Sequence, residues 1–164
     1  MTVLVAVASK HGATWEIAEA IGRTLGERGV DAEVKRAEDV DGLESYDAVI
    51  LGSAVYVGSW LEQAQQLVET HVQELTGRPV WLFSSGPIGD PPKPPAETAV
   101  QIDDILTQTR AREHRLFAGK VDRSVLGFRD RAVMAAVRAS EGDYRDWNEI
   151  ETWAASIADQ LTAG

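Results

Sequence analysis

The sequence predicts an α/β fold in which a parallel sheet is covered by helices on both faces. Three largely apolar runs, at 3–8, 47–51 and 80–83, are typical of strands that are buried on both faces of such a sheet. Segments with apolar residues at helical spacing separate these runs along the chain. Strands that alternate with helices form parallel sheets, because each helix carries the chain back to the edge where the next strand begins.

Two further strands and four helices complete the prediction. The strands are a weaker run at 32–36 and a short run at 115–118. Asp146 is suited to cap the last helix, and Glu149, three residues later, completes a capping box. The apolar positions of the four helices are Ile17, Ala18, Ile21 and Leu25; Leu61, Leu67, Val68, Val72 and Leu75; Val100, Ile102, Ile105 and Leu106; and Ile150, Trp153, Ala154, Ile157 and Leu161.

The composition fits one globular domain and excludes several classes of protein. The chain has 164 residues, which suggests a single domain over 1–164. It has no cysteine, which excludes disulfides, thiolate nucleophiles and cysteine-based metal sites. Its formal net charge of -10 argues against nucleic-acid binding. No apolar run approaches the roughly 20 residues of a membrane span, and the N-terminus lacks the basic region of a signal peptide, so we expect a cytoplasmic protein.

The first loop of the predicted sheet, Ser9-Lys10-His11-Gly12-Ala13-Thr14, is typical of a phosphate site. It leaves a buried strand and begins a helix, whose free N–H groups and dipole favour an anion. The hydroxyls of Ser9 and Thr14 can donate to phosphate oxygens, and Gly12 allows the backbone to approach closely. Simple capping by Thr14, with Gly12 in a turn, explains the same residues and stays open as the alternative. The glycine patterns of dinucleotide and Walker sites are absent.

The second and third loops could enclose a planar ligand at the same edge of the sheet. Ligands of parallel sheets bind beyond the carboxyl ends of the strands, where the loops 52–60 and 84–90 follow their strands. Tyr56 and Trp60 could stack on a ring, and the hydroxyls and backbone donors of the third loop could contact its polar edge. Alternatively, Trp60 packs on the core where a helix begins, and the third loop is an ordinary surface loop.

Three such loops at three strand ends resemble the flavodoxin family. The phosphate loop of that family reads Ser/Thr-x-Ser/Thr-Gly-x-Ser/Thr, and residues 9–14 match it except that His11 replaces the middle hydroxyl residue. The resemblance covers essentially the whole chain. It implies a flavodoxin-like, three-layer fold with five parallel strands in the order 2-1-3-4-5. It also implies one non-covalent FMN and electron transfer with the flavin as redox centre, so that no catalytic side chain is required.

The resemblance also implies which residues hold the cofactor. The FMN phosphate would lie on the first loop, and the flavin ring between the second and third loops. The cofactor-binding residues implied are Ser9, Lys10, His11, Gly12, Ala13, Thr14, Ala54, Val55, Tyr56, Val57, Gly58, Ser84, Ser85, Gly86, Pro87 and Gly89.

Within the family, the chain is similar to the menaquinone-dependent protoporphyrinogen dehydrogenase branch. The likeness rests on Lys10, on the segment 52–58, and on residues 117–121, which precede a basic helical insert at about 122–145 and the pair 146–147. It implies an FMN-dependent oxidoreductase that acts on a porphyrin with a quinone acceptor. The alternatives are an electron carrier between protein partners that has no small-molecule substrate, and a ligand-free or anion-binding module of the same fold.

The basic insert is the candidate substrate region. Residues 110–145 carry nine Lys or Arg and five Asp or Glu, whereas residues 1–109 carry seven and 17. Arg131 and Arg138 lie along one flank of an apolar stripe, and a guanidinium binds a carboxylate through two parallel hydrogen bonds. Peripheral contact with an anionic membrane surface is a second interpretation. A helix that packs on the domain with its arginines in solvent is the third.

Other chemistries lack their residues. The sequence has no G-x-S-x-G elbow for a hydrolase. His11, His71 and His114 are too far apart for a helical zinc motif, so we expect no metal, and His71 and His114 are expected to be structural. A phospho-acceptor domain needs acidic residues after the first strand, where Ser9 stands.

Overall fold

The chain folds into a parallel sheet with helices on both faces in a computed structural model that describes residues 1–9, 12–56, 59–86, 102–118, 120–121, 142–143 and 145–163. The elements in chain order are β1 (Thr2–Ala8), α1 (Ala13–Glu27), β2 (Asp31–Arg36), a 3-10 turn (Ala37–Asp39), β3 (Ala48–Tyr56), β4 (Ser59–Trp60), α2 (Glu62–Thr76), β5 (Val80–Gly86), α3 (Ile102–Thr109), β6 (Glu113–Ala118), β7 (Lys120–Val121), β8 (Gly142–Asp143) and α4 (Trp147–Ala163).

The main sheet confirms the predicted fold class and strand order. Its five parallel strands run β2-β1-β3-β5-β6, which is the order 2-1-3-4-5 of the five predicted strands. The chain adds strands on one side of β1 and then on the other. The order of the sheet therefore reverses between β1 and β3, and such a switch point is where ligands bind in this architecture.

Each face of the sheet has its own apolar core, because alternate side chains of a strand point to opposite faces. Val3, Val5 and Val7 of β1 pack on the face covered by α1 and α4. Leu4 and Ala6 pack on the face covered by α2 and α3. The central strands are apolar on both faces for this reason, whereas half of the residues of edge strand β2 are exposed.

Gly52 is inside β3 and makes room for the aromatic core. A Cβ atom at Gly52 would lie 2.1 Å from Cζ of Phe83, its partner in the register of β3 and β5. The Phe83 ring packs in turn against Phe117 and Trp153, at 6.1 Å between centroids in both cases. The glycine that the sequence places at the beginning of the second loop is therefore a packing residue of the sheet.

The central strands are longer than the sequence predicts. β3 continues to Tyr56 instead of ending at 51, and β5 continues to Gly86 instead of ending at 83. The added residues are paired in register, with Ser53 opposite Ser84 and Ala54 opposite Ser85. Backbone hydrogen bonds hold these positions in the sheet whatever their side chains, so a hydropathy pattern does not detect them.

The short strands β7 and β8 bring the two ends of the predicted insert together. They pair antiparallel, with Lys120 opposite Asp143 and Val121 opposite Gly142. Both strands are additions to the predicted elements. The interior of the insert, including Arg131 and Arg138, lies outside the described residues.

Candidate functional site

The first loop ends in an uncapped helix N-terminus at the switch point of the sheet. Helix α1 begins at Ala13, its N-cap is Gly12 with φ 88°, and no side chain caps it. The Gly12 N–H donates to Ser9 Oγ at 3.1 Å. Thr14 is the second residue of the helix, so the alternative in which it is the N-cap is wrong. A left-handed N-cap favours glycine, which explains Gly12.

The donors at this end of α1 fit a phosphate group. The first helical hydrogen bond runs from Glu16 N to Gly12 O, so the N–H groups of Ala13, Thr14 and Trp15 have no acceptor within the helix. Thr14 is 3% exposed, and its hydroxyl makes no hydrogen bond to the described residues. The unpaired N–H groups, the helix dipole and this hydroxyl together form an anion site of the kind that holds a phosphate. Lys10 and His11 lie outside the described residues.

The second loop is a β-hairpin anchored through Trp60. β4 pairs antiparallel with the end of β3, with Val55 opposite Trp60. Trp60 is 2% exposed, and its Nε1–H donates to Ser84 Oγ at 2.7 Å. This confirms the interpretation of Trp60 as a core residue. Ala54 and Val55 are partly buried at the end of β3.

The remaining predicted residues of the second loop are described only in part. Tyr56 is the last residue of β3, where it lies opposite Ser59 of β4. Val57 and Gly58 lie outside the described residues. The pairing with β4 places the backbone of Tyr56 at the carboxyl edge of the sheet.

The predicted residues of the third loop begin inside β5. Ser84, Ser85 and Gly86 are buried strand residues, whereas Pro87 and Gly89 lie outside the described residues. Ser84 Oγ accepts from Trp60 and lies 2.7 Å from Nε2 of His114. Its hydroxyl is therefore hydrogen-bonded within the protein.

His114 completes a buried chain of three side chains across the carboxyl half of the sheet. Burial lowers the pKa of His114 below its ordinary value of 6.5, which favours a neutral ring. A neutral Nε2 accepts the Ser84 hydroxyl while that hydroxyl oxygen accepts from Trp60. The sequence indicates a structural role for His114 but not its partners, because they lie on other strands.

The carboxyl ends of β1, β3 and β5 lie at one edge of the sheet because these strands are parallel neighbours. Ala8, the last residue of β1, lies opposite Ser53, and Ser53 lies opposite Ser84, so β3 and β5 continue three and two residues beyond the end of β1. The N-terminus of α1, which follows β1, is therefore at the same edge as the strand ends that lead into the second and third loops. Such an edge can bind an anion and a planar group of one molecule together.

Arg145 lies beside this site, although the sequence pattern does not mark it as a site residue. Its guanidinium lies against the first turn of α1, where Nη1 donates to Glu16 Oε1 at 2.7 Å. The signal that could have found it is its place just before the capping residue Asp146, where the last helix begins beside α1.

Two absences hold for the described part of the chain. No helix there is long and apolar enough to cross a bilayer. No three His, Asp or Glu side chains there are grouped so that they could hold a metal ion.

Comparison with known proteins identifies the family. The sequence profile of the flavodoxin domain matches residues 4–148. The chain belongs to the flavodoxin domain family. FMN is the cofactor of flavodoxin-domain proteins, and electron transfer through FMN is their shared chemistry.

Individual relatives agree with this assignment. The chain is 24% identical to "Protoporphyrinogen IX dehydrogenase (quinone)" of Escherichia coli strain K12, over 96% of this chain and 95% of that protein. Among solved structures, it is similar to a flavodoxin from the domain Archaea, with a TM-score of 0.67, 20% identity and 99% of each chain covered. It is also similar to oxidised flavodoxin 1 of Bacillus cereus, with a TM-score of 0.65, 19% identity, and 98% and 99% of the two chains covered.

Proposed function

We propose that this flavodoxin-domain protein is an oxidoreductase that binds FMN at the edge formed by β1, β3 and β5. The chain forms a single domain with an insert at about 122–145. The observation that carries the proposal is the uncapped N-terminus of α1, where Gly12 has a φ of 88° and the next N–H groups have no partner in the helix. The residues assigned to the cofactor are those that the sequence predicts in the three loops, 9–14, 54–58, 84–87 and Gly89.

Different residues would bind the two ends of FMN, its phosphate and its flavin ring. Bound FMN supplies the electron-transfer chemistry. The free N–H groups of residues 13–15 and the hydroxyl of Thr14 would hold the phosphate end, with the first turn shaped by Gly12. Ala54 and Val55, which have apolar side chains, and Gly86 stand at the edge where the ring would lie.

The first test measures FMN affinity in a matched pair of threonine variants. Thr14→Val removes a hydroxyl at the start of α1, and Thr24→Val makes the same change at another buried position of that helix. A hydrogen bond to a charged group contributes about 1.5–3 kcal/mol, so Thr14→Val is expected to weaken FMN binding about 10- to 100-fold. Thr24→Val should leave it unchanged, as followed by quenching of FMN fluorescence. Equal affinities of the two variants, or no binding by the parent, would refute the site.

For the substrate, we propose a porphyrin with carboxylate groups and a quinone acceptor. The support is the relative of Escherichia coli named above and the basic character of the insert, whose ends pair as β7 and β8. Arg131 and Arg138 are assigned to the substrate carboxylates. A second candidate, an electron carrier between proteins, is supported by the end-to-end match with the archaeal flavodoxin.

Turnover separates the two candidates. The protein with reduced FMN is mixed with a menaquinone analogue without oxygen, and protoporphyrinogen consumption is then measured in turnover. For the enzyme, Arg131→Ala and Arg138→Ala lower turnover while FMN binding is kept, and Arg28→Ala, at the exposed end of α1, does not. Electron exchange with protein partners alone, unaffected by these changes, identifies a carrier.

A further inference from the structure

The guanidinium of Arg145 is buried against the helix end that would receive the phosphate. The Arg145 side chain is 5% exposed. Its Nη1 donates to the carbonyl of Ala13 at 3.3 Å and to Glu16 Oε1 at 2.7 Å. Its Cζ lies 4.6 Å from the ring centroid of Trp147, the first residue of α4. The guanidinium is therefore held between the first turns of two helices.

The contact between Arg145 and Glu16 affects the charge at the end of α1 where an anion would bind. Glu16 is the acidic residue in the first turn of α1, and its side chain is 55% exposed. A carboxylate there stabilises the helix through the dipole but repels any anion at the same end. Arg145 donates to that carboxylate directly, so the charge of Glu16 is compensated where it would otherwise oppose a phosphate.

Two other ion pairs join α1 to α4 and show what is particular to Arg145. Arg23 pairs with Glu151 at 3.5 Å, and Arg28 pairs with Asp159 at 3.3 Å. Both arginine side chains are about half exposed, and both pairs lie farther along α1. Of these three arginines, only Arg145 has a buried side chain and lies at the phosphate end of the helix.

We propose that Arg145 is a positioning residue for the FMN phosphate, which it favours by neutralising Glu16 and holding the first turn of α1 in place. The inference rests on the proposed FMN site. Arg145, at the end of the insert, would thereby contribute to cofactor affinity and connect the start of α4 to the first turn of α1.

The size of the effect follows from the charge that Arg145 compensates. A carboxylate in the first turn lies roughly 9 Å from a phosphate at the helix end, and at an effective dielectric constant of about 20–40 their repulsion changes affinity about five- to twentyfold. Removal of the guanidinium restores this repulsion. The effect should decrease as salt is added, because both groups are close to solvent.

The experiment compares FMN with riboflavin, which has the ring but no phosphate. Arg145→Met, which keeps an apolar stem beside Trp147, should weaken FMN binding about five- to twentyfold and change riboflavin binding less than twofold. Adding Glu16→Gln to that variant should restore most of the loss. Arg23→Met, the matched control, should leave both affinities unchanged. Circular dichroism and thermal unfolding of each apo-protein verify that it is folded.

Glu16→Gln alone keeps the proposal testable even if Arg145→Met does not fold. With Arg145 intact, it should tighten FMN binding by a similar factor and leave riboflavin binding unchanged. Equal losses for FMN and riboflavin in Arg145→Met, no rescue by Glu16→Gln, or no tightening in Glu16→Gln alone would overturn the role of Arg145. Failure of the parent protein to bind either flavin would instead refute the proposed function, and the Arg145 assignment with it.

Discussion

Ser84→Ala should destabilise the protein more than the loss of one small group suggests, because the Ser84 hydroxyl joins a buried side chain to a half-buried one. Ser84 has no exposed surface, and its Oγ lies 2.7 Å from Nε1 of Trp60 and 2.7 Å from Nε2 of His114. Alanine leaves the Trp60 N–H and the His114 ring nitrogen without this partner. Because the neighbouring strand and helix residues pack closely, water cannot replace the hydroxyl without displacing them.

The magnitude follows from the two groups that lose their partner. A buried polar group left unsatisfied costs about 1–3 kcal/mol. For Trp60, which is 2% exposed, we expect a cost near the upper end of this range. For half-buried His114 we expect a smaller cost, because water can partly solvate its ring nitrogen. We therefore expect a loss of about 3 kcal/mol in the free energy of unfolding. For a domain of this size that lowers Tm by about 6–12 °C.

Urea unfolding of the apo-protein, followed by circular dichroism, measures this loss. Ser85→Ala is the matched control, because Ser85 is the next residue of β5, is 4% exposed, and makes no side-chain hydrogen bond to the described residues. The control should lose about 1 kcal/mol or less. If the two variants differ by less than about 0.5 kcal/mol, the buried chain of hydrogen bonds does not stabilise the fold and the reasoning is wrong.

Three further predictions concern glycines and pH. Gly12→Ala should lower the free energy of unfolding by about 1 kcal/mol, because the φ of 88° at Gly12 is unfavourable for alanine. Gly26→Ala, inside α1 and also with nothing within 4 Å of the new Cβ, should raise it by about 0.5–1 kcal/mol. Urea midpoints of the two variants that shift in the same direction would contradict this. Gly52→Ala should cost about 3 kcal/mol, since its Cβ would lie 2.1 Å from the Phe83 ring, and a loss below 1 kcal/mol would show that the ring can move aside. Burial keeps His114 neutral when folded, while the unfolded chain takes up a proton near the ordinary pKa of 6.5, so stability should fall as the pH drops below about 6.5. His114→Gln should reduce that slope, and identical slopes between pH 5 and 7 would exclude the residue as its cause.

The fold class could be predicted from the sequence because the features that specify it are local. A strand buried on both faces must be apolar at every position, and the run 3–8 meets this condition along almost all of β1. Asp146 caps α4 as predicted, with its Oδ1 accepting from the Glu149 N–H at 3.1 Å. Gly12 could also be recognised from the sequence as a turn residue, because it stands between a predicted strand and a predicted helix. The structure places it there as the N-cap of α1 with φ 88°.

The lengths of the strands and the pairing of polar side chains could not be predicted, because both depend on contacts between segments that are distant in the sequence. Polar Ser84 belongs to β5 because β3 offers backbone partners there, and its hydroxyl partner Trp60 is 24 residues away in the sequence. Arg145 meets Glu16 across 129 residues. Parallel pairing brings together segments that are separated in the chain by whole helices, and the burial of a side chain depends on the helices that cover the sheet. A local sequence pattern therefore predicts the secondary structure at a position, but it does not predict which distant side chain contacts that residue.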